Sequence, residues 1–262
     1  MDDQEIWPNF FIVGAPRTST TSLYNYLKQV SKIFLSPIKE PNYFNASTIS
    51  AGHKVKPIQD KKNYLHLFND VKNEKIIGEA SVWYLADPKA PYLIHQQCPN
   101  AKILISLRDP VERVYSHFMM HVPGLWSISS FHEKLQNELR DGTDFNKPNM
   151  GIRRGLYHDD IKRYLDVFDP EQVKISIFEE FILDPKKALK DILHFLELDE
   201  CIDECEGINY QQFFARAQES KPIMDKTDRT NLTNFYSKDV EKLELLLKRR
   251  LPWQNFQNEK VT

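Results

Sequence analysis

The sequence predicts an α/β fold: one domain over residues 1–262, with a mostly parallel central sheet and helices on both faces. Short apolar runs, such as residues 10–13 and 101–107, suit strands that are covered on both faces. Turn-forming residues and then helical periodicity follow these runs. Because parallel strands need a crossover connection, this alternation indicates a parallel sheet. A chain of 262 residues can bury one sizeable core.

Charge and composition exclude several classes of function. The formal net charge is −2, so no general nucleic-acid surface is expected. No apolar run is long enough to span a bilayer, and the acidic residues 1–5 do not begin a secretory signal. The odd number of cysteines (Cys98, Cys201 and Cys205) suits a reducing compartment and structural roles. We expect a cytoplasmic monomer or homodimer with no nucleic-acid or membrane partner.

The first strand leads into a loop that suits an anion. Gly14 ends the apolar run at residues 10–13, and helical spacing begins at Leu23. A helix that begins there directs unpaired N–H groups and the positive end of its dipole at the loop, which favours a phosphate or sulfate. Hydroxyl-bearing residues at 18–22 add hydrogen-bond donors, and Arg17 adds a fixed positive charge.

Two other interpretations of this loop are an ordinary strand-to-helix turn and an ATP or GTP P-loop. The P-loop pattern needs Gly-x-x-x-x-Gly-Lys-Ser/Thr. Counting from Gly14, Ser19 occupies the second Gly position and Thr20 occupies the Lys position. The side chain that would reach the β- and γ-phosphates is therefore absent. The loop suits a phosphate group better than a nucleoside triphosphate with magnesium.

The second strand leads to a Lys–Glu pair. Residues 33–35 form a short apolar run, and nearby prolines force extended or turn geometry around Lys39 and Glu40. A Lys beside a Glu is most often a solvated surface pair, but beside an anion loop it would serve acid–base chemistry. A weak helical pattern over residues 64–71 follows, and residues 75–84 then form a buried strand and its exit.

A cation follows another strand. Arg108 comes at the carboxyl end of the predicted strand at 101–107, where open α/β sheets bind ligands. Asp109, Pro110 and Glu112 then suit the N-cap, the first helical position and the capping box of a helix.

That helix offers a metal-binding alternative. His117 and His121 lie four residues apart, but position 118 is Phe rather than the Glu of a zinc-protease motif. We interpret His117 as a partly buried or substrate-contacting residue and a reserve base, and we expect no metal.

The polar residues 121–154 predict a loop or lid that covers the acceptor, with a short helix at 130–140. At its end, Arg153 and Arg154 are either solvated charges or phosphate contacts. The remaining predicted elements, in order, are a helix at 161–168, a strand at 173–178, an amphipathic helix ending near 198 and a final packing helix at 238–251.

These patterns resemble sulfotransferases that use 3′-phosphoadenosine 5′-phosphosulfate (PAPS), of bacterial type and similar to heparan sulfate sulfotransferase domains. The family's 5′-phosphosulfate loop reads Gly-x-x-Lys/Arg-x-Gly-Thr-Thr-Ser-Leu. The matching residues are Gly14, Arg17, Thr20, Thr21, Ser22 and Leu23. Ser19 replaces the family's Gly, and it is strained if the position requires a positive φ. The resemblance implies a P-loop-like phosphosulfate-binding loop.

Further motifs extend the resemblance over nearly the whole chain. The run from Lys39 to Phe44 resembles the family's Lys-Glu-Pro-x-x-Phe motif. This implies that Glu40 takes the acceptor proton and that Lys39 lies near the transferring sulfonyl group. Residues 78–84 resemble a Gly-Glu-Lys-Ser-Pro-x-Tyr segment that lines the acceptor side, with Ala80 in place of its Lys.

The resemblance also implies a nucleotide site. Arg108 and Ser116, eight residues apart, resemble the family's 3′-phosphate motif, and residues 215–233 correspond to a basic loop that covers the nucleotide. The residues predicted to bind the nucleotide are Arg17, Thr18, Ser19, Thr20, Thr21, Ser22, Arg108, Ser116, Tyr157, Lys226 and Arg229. Arg17 is also catalytic with Glu40 and Lys39, and its role is electrostatic because a guanidinium stays charged.

The predicted acceptor pocket consists of Tyr43, Phe44, Trp83, Tyr84 and His117, although the aromatic residues would also suit a core. The sequence thus predicts a metal-independent O-sulfotransferase that moves a sulfonyl group from PAPS to a soluble small-molecule alcohol and releases PAP. A specialised-metabolite or toxin intermediate is one such acceptor, and a saccharide is the alternative. A P-loop small-molecule kinase and an inactive nucleotide-binding protein are the rival classes; Ser19 and Ala80 favour the second rival.

Overall fold

The computed structural model describes residues 5–47, 56–120, 128–141, 151–210 and 223–257. These residues belong to two compact units, one within Met1–Leu107 and Arg163–Ala217 and the other within Arg108–Lys162 and Gln218–Thr262. A division into two compact units does not test whether the chain is one domain, so the single domain over residues 1–262 stays a prediction.

The first unit contains a five-stranded parallel sheet in the order β2-β3-β1-β4-β5. Its strands are β1 (Phe10–Gly14), β2 (Ile33–Leu35), β3 (Ile76–Ala80), β4 (Lys102–Leu107) and β5 (Val173–Ile177). All five residues of β1 are buried, as expected for a strand covered on both faces. The strand order reverses at β1, and open α/β sheets bind ligands at the carboxyl ends of the strands at such a point. The predicted α/β fold is therefore confirmed.

Helices flank the sheet and make up most of the second unit. In chain order they are α1 (Thr20–Leu27), α2 (Lys61–Leu65), α3 (Ala90–Gln97), α4 (Pro110–Met120), α5 (Ile128–Asp141), α6 (His158–Leu165), α7 (Phe178–Leu183), α8 (Pro185–Phe195) and α9 (Lys226–Leu247). None of the helices in the described part of the chain combines the length and the apolar character that a bilayer crossing requires.

One core of the first unit packs α1 and α8 against the sheet. Leu27 of α1 and Leu193 of α8 are fully buried in it, together with residues of β1, β2 and β3. Cys201 and Cys205 are buried in the same cluster as free thiols, as their predicted structural role requires. Asp184 accepts a hydrogen bond from the Lys187 amide (2.9 Å) and caps α8, which explains why two helices stand where one was predicted.

Within the predicted lid at 121–154, the short helix predicted at 130–140 is confirmed, and the lid itself stays a prediction. Residues 128–141 form α5 within the second unit, and Phe131 and Leu135 of this helix are fully buried. The Phe131 ring packs edge-on against Tyr115 and Phe118 of α4. This segment therefore belongs to a core, and residues 121–127 and 142–150 lie outside the described residues.

The predicted nucleotide-covering loop at 215–233 is helical from residue 226 onward, and its covering role stays a prediction. Helix α9 begins at Lys226, twelve residues before the predicted start of the final helix, because Asp225 caps it by accepting a hydrogen bond from the Thr227 amide (2.7 Å). Leu232, Tyr236, Val240 and Leu243 are the buried apolar positions of this helix. Residues 211–222 lie outside the described residues.

Candidate active site

The loop after β1 has a backbone that only particular residues tolerate. Gly14 has φ +149°, and a Cβ atom there would lie 2.7 Å from the Leu85 Cβ, so the position requires glycine. Arg17 and Ser19 also adopt left-handed conformations, with φ of 72° and 63°. Ser19 is thus the strained residue that its replacement of the family's Gly predicts.

The loop is attached to β4. The Ala15 amide donates to the Ser106 carbonyl (2.7 Å), and the Ser106 hydroxyl donates to the Thr18 carbonyl (2.8 Å). Because both bonds use atoms of a buried strand end, the loop keeps its shape without a ligand. Such preorganisation reduces the cost of binding.

The hydroxyl side chains of the loop mostly face the protein rather than a ligand. Thr18 is fully buried and its hydroxyl donates to the Ala15 carbonyl (2.7 Å), while its predicted contact with the nucleotide stays a prediction. Thr20 and Ser22 are also buried, and the side chain of Ser22 is hydrogen-bonded to that of Tyr26. Thr21 is exposed. The groups of this loop that suit an anion are the positive charge of Arg17 and the first-turn N–H groups of α1, which have no intrahelical acceptor.

Lys39 and Glu40 form an ion pair in the loop after β2. The Lys39 Nζ lies 2.6 Å from the Glu40 Oε1, and both side chains are only partly exposed. The Val82 amide donates to the other carboxylate oxygen, Oε2, at 2.9 Å. Each carboxylate oxygen has a second lone pair, so Glu40 can accept a further hydrogen bond. The solvated-pair interpretation is therefore wrong: the pair is held in place.

The backbone around Glu40 is held as firmly as its side chain. Glu40 and Asn42 adopt left-handed conformations, with φ of 66° and 53°. The Glu40 amide donates to the Ala80 carbonyl (2.9 Å), and the Asn42 amide donates to the Ser81 hydroxyl (3.0 Å). Backbone strain of this kind persists only where surrounding contacts enforce it, and it is commonest at functional sites.

Beneath this loop lies a buried carboxylate that the sequence analysis did not select. Glu79 of β3 is fully buried, and its burial raises its pKa to about 7, although hydroxyl donors partly oppose the shift. Tyr64, Ser81 and Tyr84 donate their hydroxyl protons to it at 3.1, 2.6 and 2.7 Å. A sequence signal existed: an acid inside an otherwise apolar strand needs buried partners.

Tyr84, which was predicted for the acceptor pocket or for a core, lies in a core of the protein. It is fully buried, its hydroxyl is bonded to Glu79, and its carbonyl accepts from the Tyr164 hydroxyl (3.1 Å). Trp83 is partly exposed.

Tyr43 and Phe44 line a cavity of about 540 Å³ within the first unit. The other described residues that line it are Ala46, Ser47, Gln59, Leu93, Gln96 and Gln97. The cavity thus combines aromatic rings with amide groups, which suits a polar organic molecule.

The second unit holds the other predicted nucleotide residues. Arg108 is partly exposed, and its carbonyl accepts from the hydroxyl of Tyr157 (3.0 Å), which is fully buried. Tyr157 thus positions the backbone of Arg108. Ser116 is 3% exposed and His117 is partly exposed on α4. His121 lies outside the described residues.

Helix α4 begins as predicted, with Asp109 accepting from the Val111 amide (2.9 Å). The Glu112 carboxylate accepts from Arg229 and Asn255 rather than serving only a capping box. Arg229 is therefore paired in the second unit, and its predicted contact with the nucleotide stays a prediction.

Neither Arg153 nor Arg154 is a solvated charge. Arg153 is buried and forms a two-pronged ion pair with Asp160 (2.9 and 3.2 Å). Burial is the main cause that lowers the pKa of Arg154 to about 9. Lys226 is the exposed first residue of α9.

Comparisons with known proteins agree on one family. The model described as "Sulfotransferase domain" matches residues 8–242. Human carbohydrate sulfotransferase 15 is 27% identical over 255 residues, which covers 77% of this chain and 46% of that protein. The chain thus spans about half the length of this curated relative.

Solved structures show the same fold. A sulfotransferase from Alicyclobacillus acidocaldarius matches with a TM-score of 0.78 and 35% identity, covering 94% of this chain and 98% of that one. Mouse sulfotransferase SULT7A1 complexed with PAP matches with a TM-score of 0.58 and 16% identity, covering 92% and 88%. The family match, the sheet and the loop after β1 decide against a kinase, and this chain belongs to the sulfotransferase domain family.

Proposed function

We propose that this protein transfers a sulfonyl group from PAPS to an acceptor hydroxyl. The observation that carries the proposal is the pairing of two loops in the first unit. The loop after β1 offers α1 amides and Arg17, and the loop after β2 holds the Glu40 carboxylate between Lys39 and the Val82 amide. Both follow parallel strands, so both lie at the carboxyl edge of one sheet.

The residues present fit an anionic donor. Helix α1 has no acidic residue in its first turn, and the left-handed conformations of Arg17 and Ser19 shape the loop before it. The PAP bound by the mouse neighbour supports this assignment. We assign the 5′-phosphosulfate to the loop after β1. Arg108 and Ser116 of the second unit stay the residues predicted for a 3′-phosphate.

The proposed chemistry needs one proton acceptor and one set of cationic groups. The donor supplies a sulfonyl group bonded to a phosphate oxygen, and the acceptor oxygen replaces that oxygen on sulfur. Glu40 takes the hydroxyl proton as the new S–O bond forms. Arg17 and the α1 amides stabilise the negative charge that develops on the departing phosphate oxygen, and Lys39 stabilises charge on the sulfonyl oxygens.

The acceptor class is the open part of the proposal. We retain a soluble small-molecule alcohol as the first candidate and a saccharide as the second. The cavity lined by Tyr43 and by Gln59, Gln96 and Gln97 supports the saccharide, because aromatic faces and amides bind sugars well. The carbohydrate sulfotransferase among the relatives supports it as well.

The test begins with wild-type protein, PAPS and a panel of alcohols and saccharides, with mass spectrometry for the gain of one sulfonyl group. Glu40→Gln should then lower kcat by about 10²- to 10⁴-fold, the range for a lost general base, with PAP affinity unchanged. Glu197→Gln is the matched control, because Glu197 also has a positive φ (59°) and also pairs with a lysine (Lys102, 2.9 Å).

Each outcome is informative. Full activity of Glu40→Gln would remove Glu40 as the base, and His117 would then be tested. Tight PAP binding without transfer to any acceptor would support an inactive nucleotide-binding protein instead.

A further inference from the structure

Three hydroxyl groups surround the buried Glu79 carboxylate, and two of them also touch the loop that carries Glu40. Ser81 and Tyr84 each donate their single hydroxyl proton to Glu79, at 2.6 and 2.7 Å. The same two oxygens accept backbone N–H groups of the loop: Ser81 from Asn42 (3.0 Å) and Tyr84 from Phe44 (3.2 Å). We call Glu79, Ser81 and Tyr84 the Glu79 relay.

The direction of these bonds is set by Glu79. A hydroxyl has one proton and two lone pairs, and an ionised carboxylate can only accept. While Glu79 is ionised, the Ser81 and Tyr84 protons point at it, and their lone pairs are left for the amides of Asn42 and Phe44. These two amides follow Glu40 by two and four residues, so the relay holds the chain just after it.

The loop needs such restraint. Glu40 and Asn42 both have positive φ values, which cost free energy in residues other than glycine. The Asn42 side-chain amide also donates to the Glu40 carbonyl (2.8 Å), so movement of Asn42 would move Glu40. The Val82 amide, which donates to the Glu40 carboxylate, follows Ser81 directly in the chain.

We propose that Glu79 is a positioning residue for Glu40, acting through the Ser81 and Tyr84 hydroxyls on the loop of residues 40–44. This inference rests on the proposed function, in which Glu40 is the base. Burial raises the pKa of Glu79 to about 7, so its ionised form costs stability. The groups that interact with it are Ser81, Tyr64, Tyr84, Cys98 and Glu40.

The first experiment measures the loop directly, by NMR hydrogen exchange at the Asn42 and Phe44 amides of the whole protein. Tyr84→Phe should speed exchange at Phe44 by about tenfold, the value of one hydrogen bond. Tyr64→Phe is the matched control. Tyr64 donates to the same Glu79 oxygen, but among the described residues no backbone amide of the loop donates to its hydroxyl. If Tyr84→Phe and Tyr64→Phe changed the exchange rate at Phe44 equally, the proposal would be overturned.

The second comparison uses position 81. Ser81→Thr and Ser81→Val add side chains of the same shape, and only Thr keeps the hydroxyl. The proposal expects fast Asn42 exchange in the Val variant and rescue in the Thr variant; unchanged Asn42 exchange in Ser81→Val would refute it. If neither folds, Ser81→Ala replaces the pair, with the same expected exchange at Asn42.

The kinetic arm uses PAPS and the acceptor identified by the mass-spectrometric panel. Glu79→Gln and Ser81→Val should lower kcat by about 10- to 100-fold with the KM for PAPS unchanged, as misplacement of a reacting group does. A KM change alone would contradict positioning. The proposed function can fail separately, if the protein transfers no sulfonyl group or if Glu40→Gln stays fully active. The exchange measurements at Asn42 and Phe44 would still test the restraint of the loop, because they need no catalysis.

Discussion

Replacement of Glu79 by Gln should make the stability of this protein less dependent on pH. Glu79 is fully buried, and its burial raises its pKa from the ordinary value of 4.5 to about 7. Gln has nearly the same shape and does not titrate. Comparing wild type with Glu79→Gln at several pH values therefore isolates the ionisation of this one carboxyl group.

The sign and the size follow from linkage. Below pH 4.5 the carboxyl is protonated in both states, and its contribution to stability is fully present. As the pH rises towards 7, the unfolded chain loses the proton first, so the free energy of unfolding falls. The interval from 4.5 to about 7, at 1.36 kcal/mol per pH unit, gives a loss of about 3 kcal/mol.

The assay is urea unfolding of both proteins at pH 5 and pH 8. Wild type should lose about 2–3 kcal/mol more than Glu79→Gln over this interval. Asp239, whose pKa burial raises to about 6, titrates in both proteins and cancels from the comparison. Glu79→Gln also weakens the hydrogen bonds from the three hydroxyl groups. A weakening that is the same at pH 5 and pH 8 cancels when the two pH values are compared. Equal losses in the two proteins would refute the raised pKa of the Glu79 carboxyl.

Three further predictions concern the loops that follow β1 and β4. Ser19→Gly should raise Tm by about 1–3 °C, since relief of left-handed strain exceeds the flexibility that glycine adds, whereas Ser19→Ala keeps the strain and should not raise Tm. Gly14→Ala should lower Tm by several degrees, because the added Cβ would lie 2.7 Å from the Leu85 Cβ. Gly207→Ala is the control, since the nearest atom to its added Cβ would be 3.7 Å away, and an equal Tm for both variants would contradict the steric clash at Gly14. Arg108→Ala should weaken PAP binding by about 10- to 100-fold in calorimetry, and the exposed Arg250→Ala should leave it unchanged; unaltered binding in the first variant would remove Arg108 from the site.

The sequence alone was enough to predict the strands, because a parallel sheet covered on both faces requires apolar runs that stand out in the chain. Residues 10–13 and 101–107 correspond to β1 and β4 within one residue at each end. The cap at Asp109 was equally local, since it depends on groups only two or three residues away. The strain predicted for Ser19 is present in the structure as well.

Side-chain orientation was not predictable in the same way. Thr18 and Tyr84 belong to motifs that suggested ligand contacts, yet one hydroxyl bonds a carbonyl of its own turn and the other bonds a buried carboxylate. Arg229 was predicted to bind the nucleotide, and its ion-pair partner Glu112 lies 117 residues away in the chain. No local pattern reports a partner at that separation.

The sequence by itself determined the order of strands and helices, the strand-to-helix turn after β1 and the placement of a Lys–Glu pair after β2, since each depends on neighbouring residues. Only the tertiary structure decided which polar groups are already bonded. The connection of Glu79 through Ser81 to the loop of Glu40 is the main example. The reason is physical: a buried polar group must find its partners in three dimensions, and packing brings together strands and loops that lie far apart in the chain.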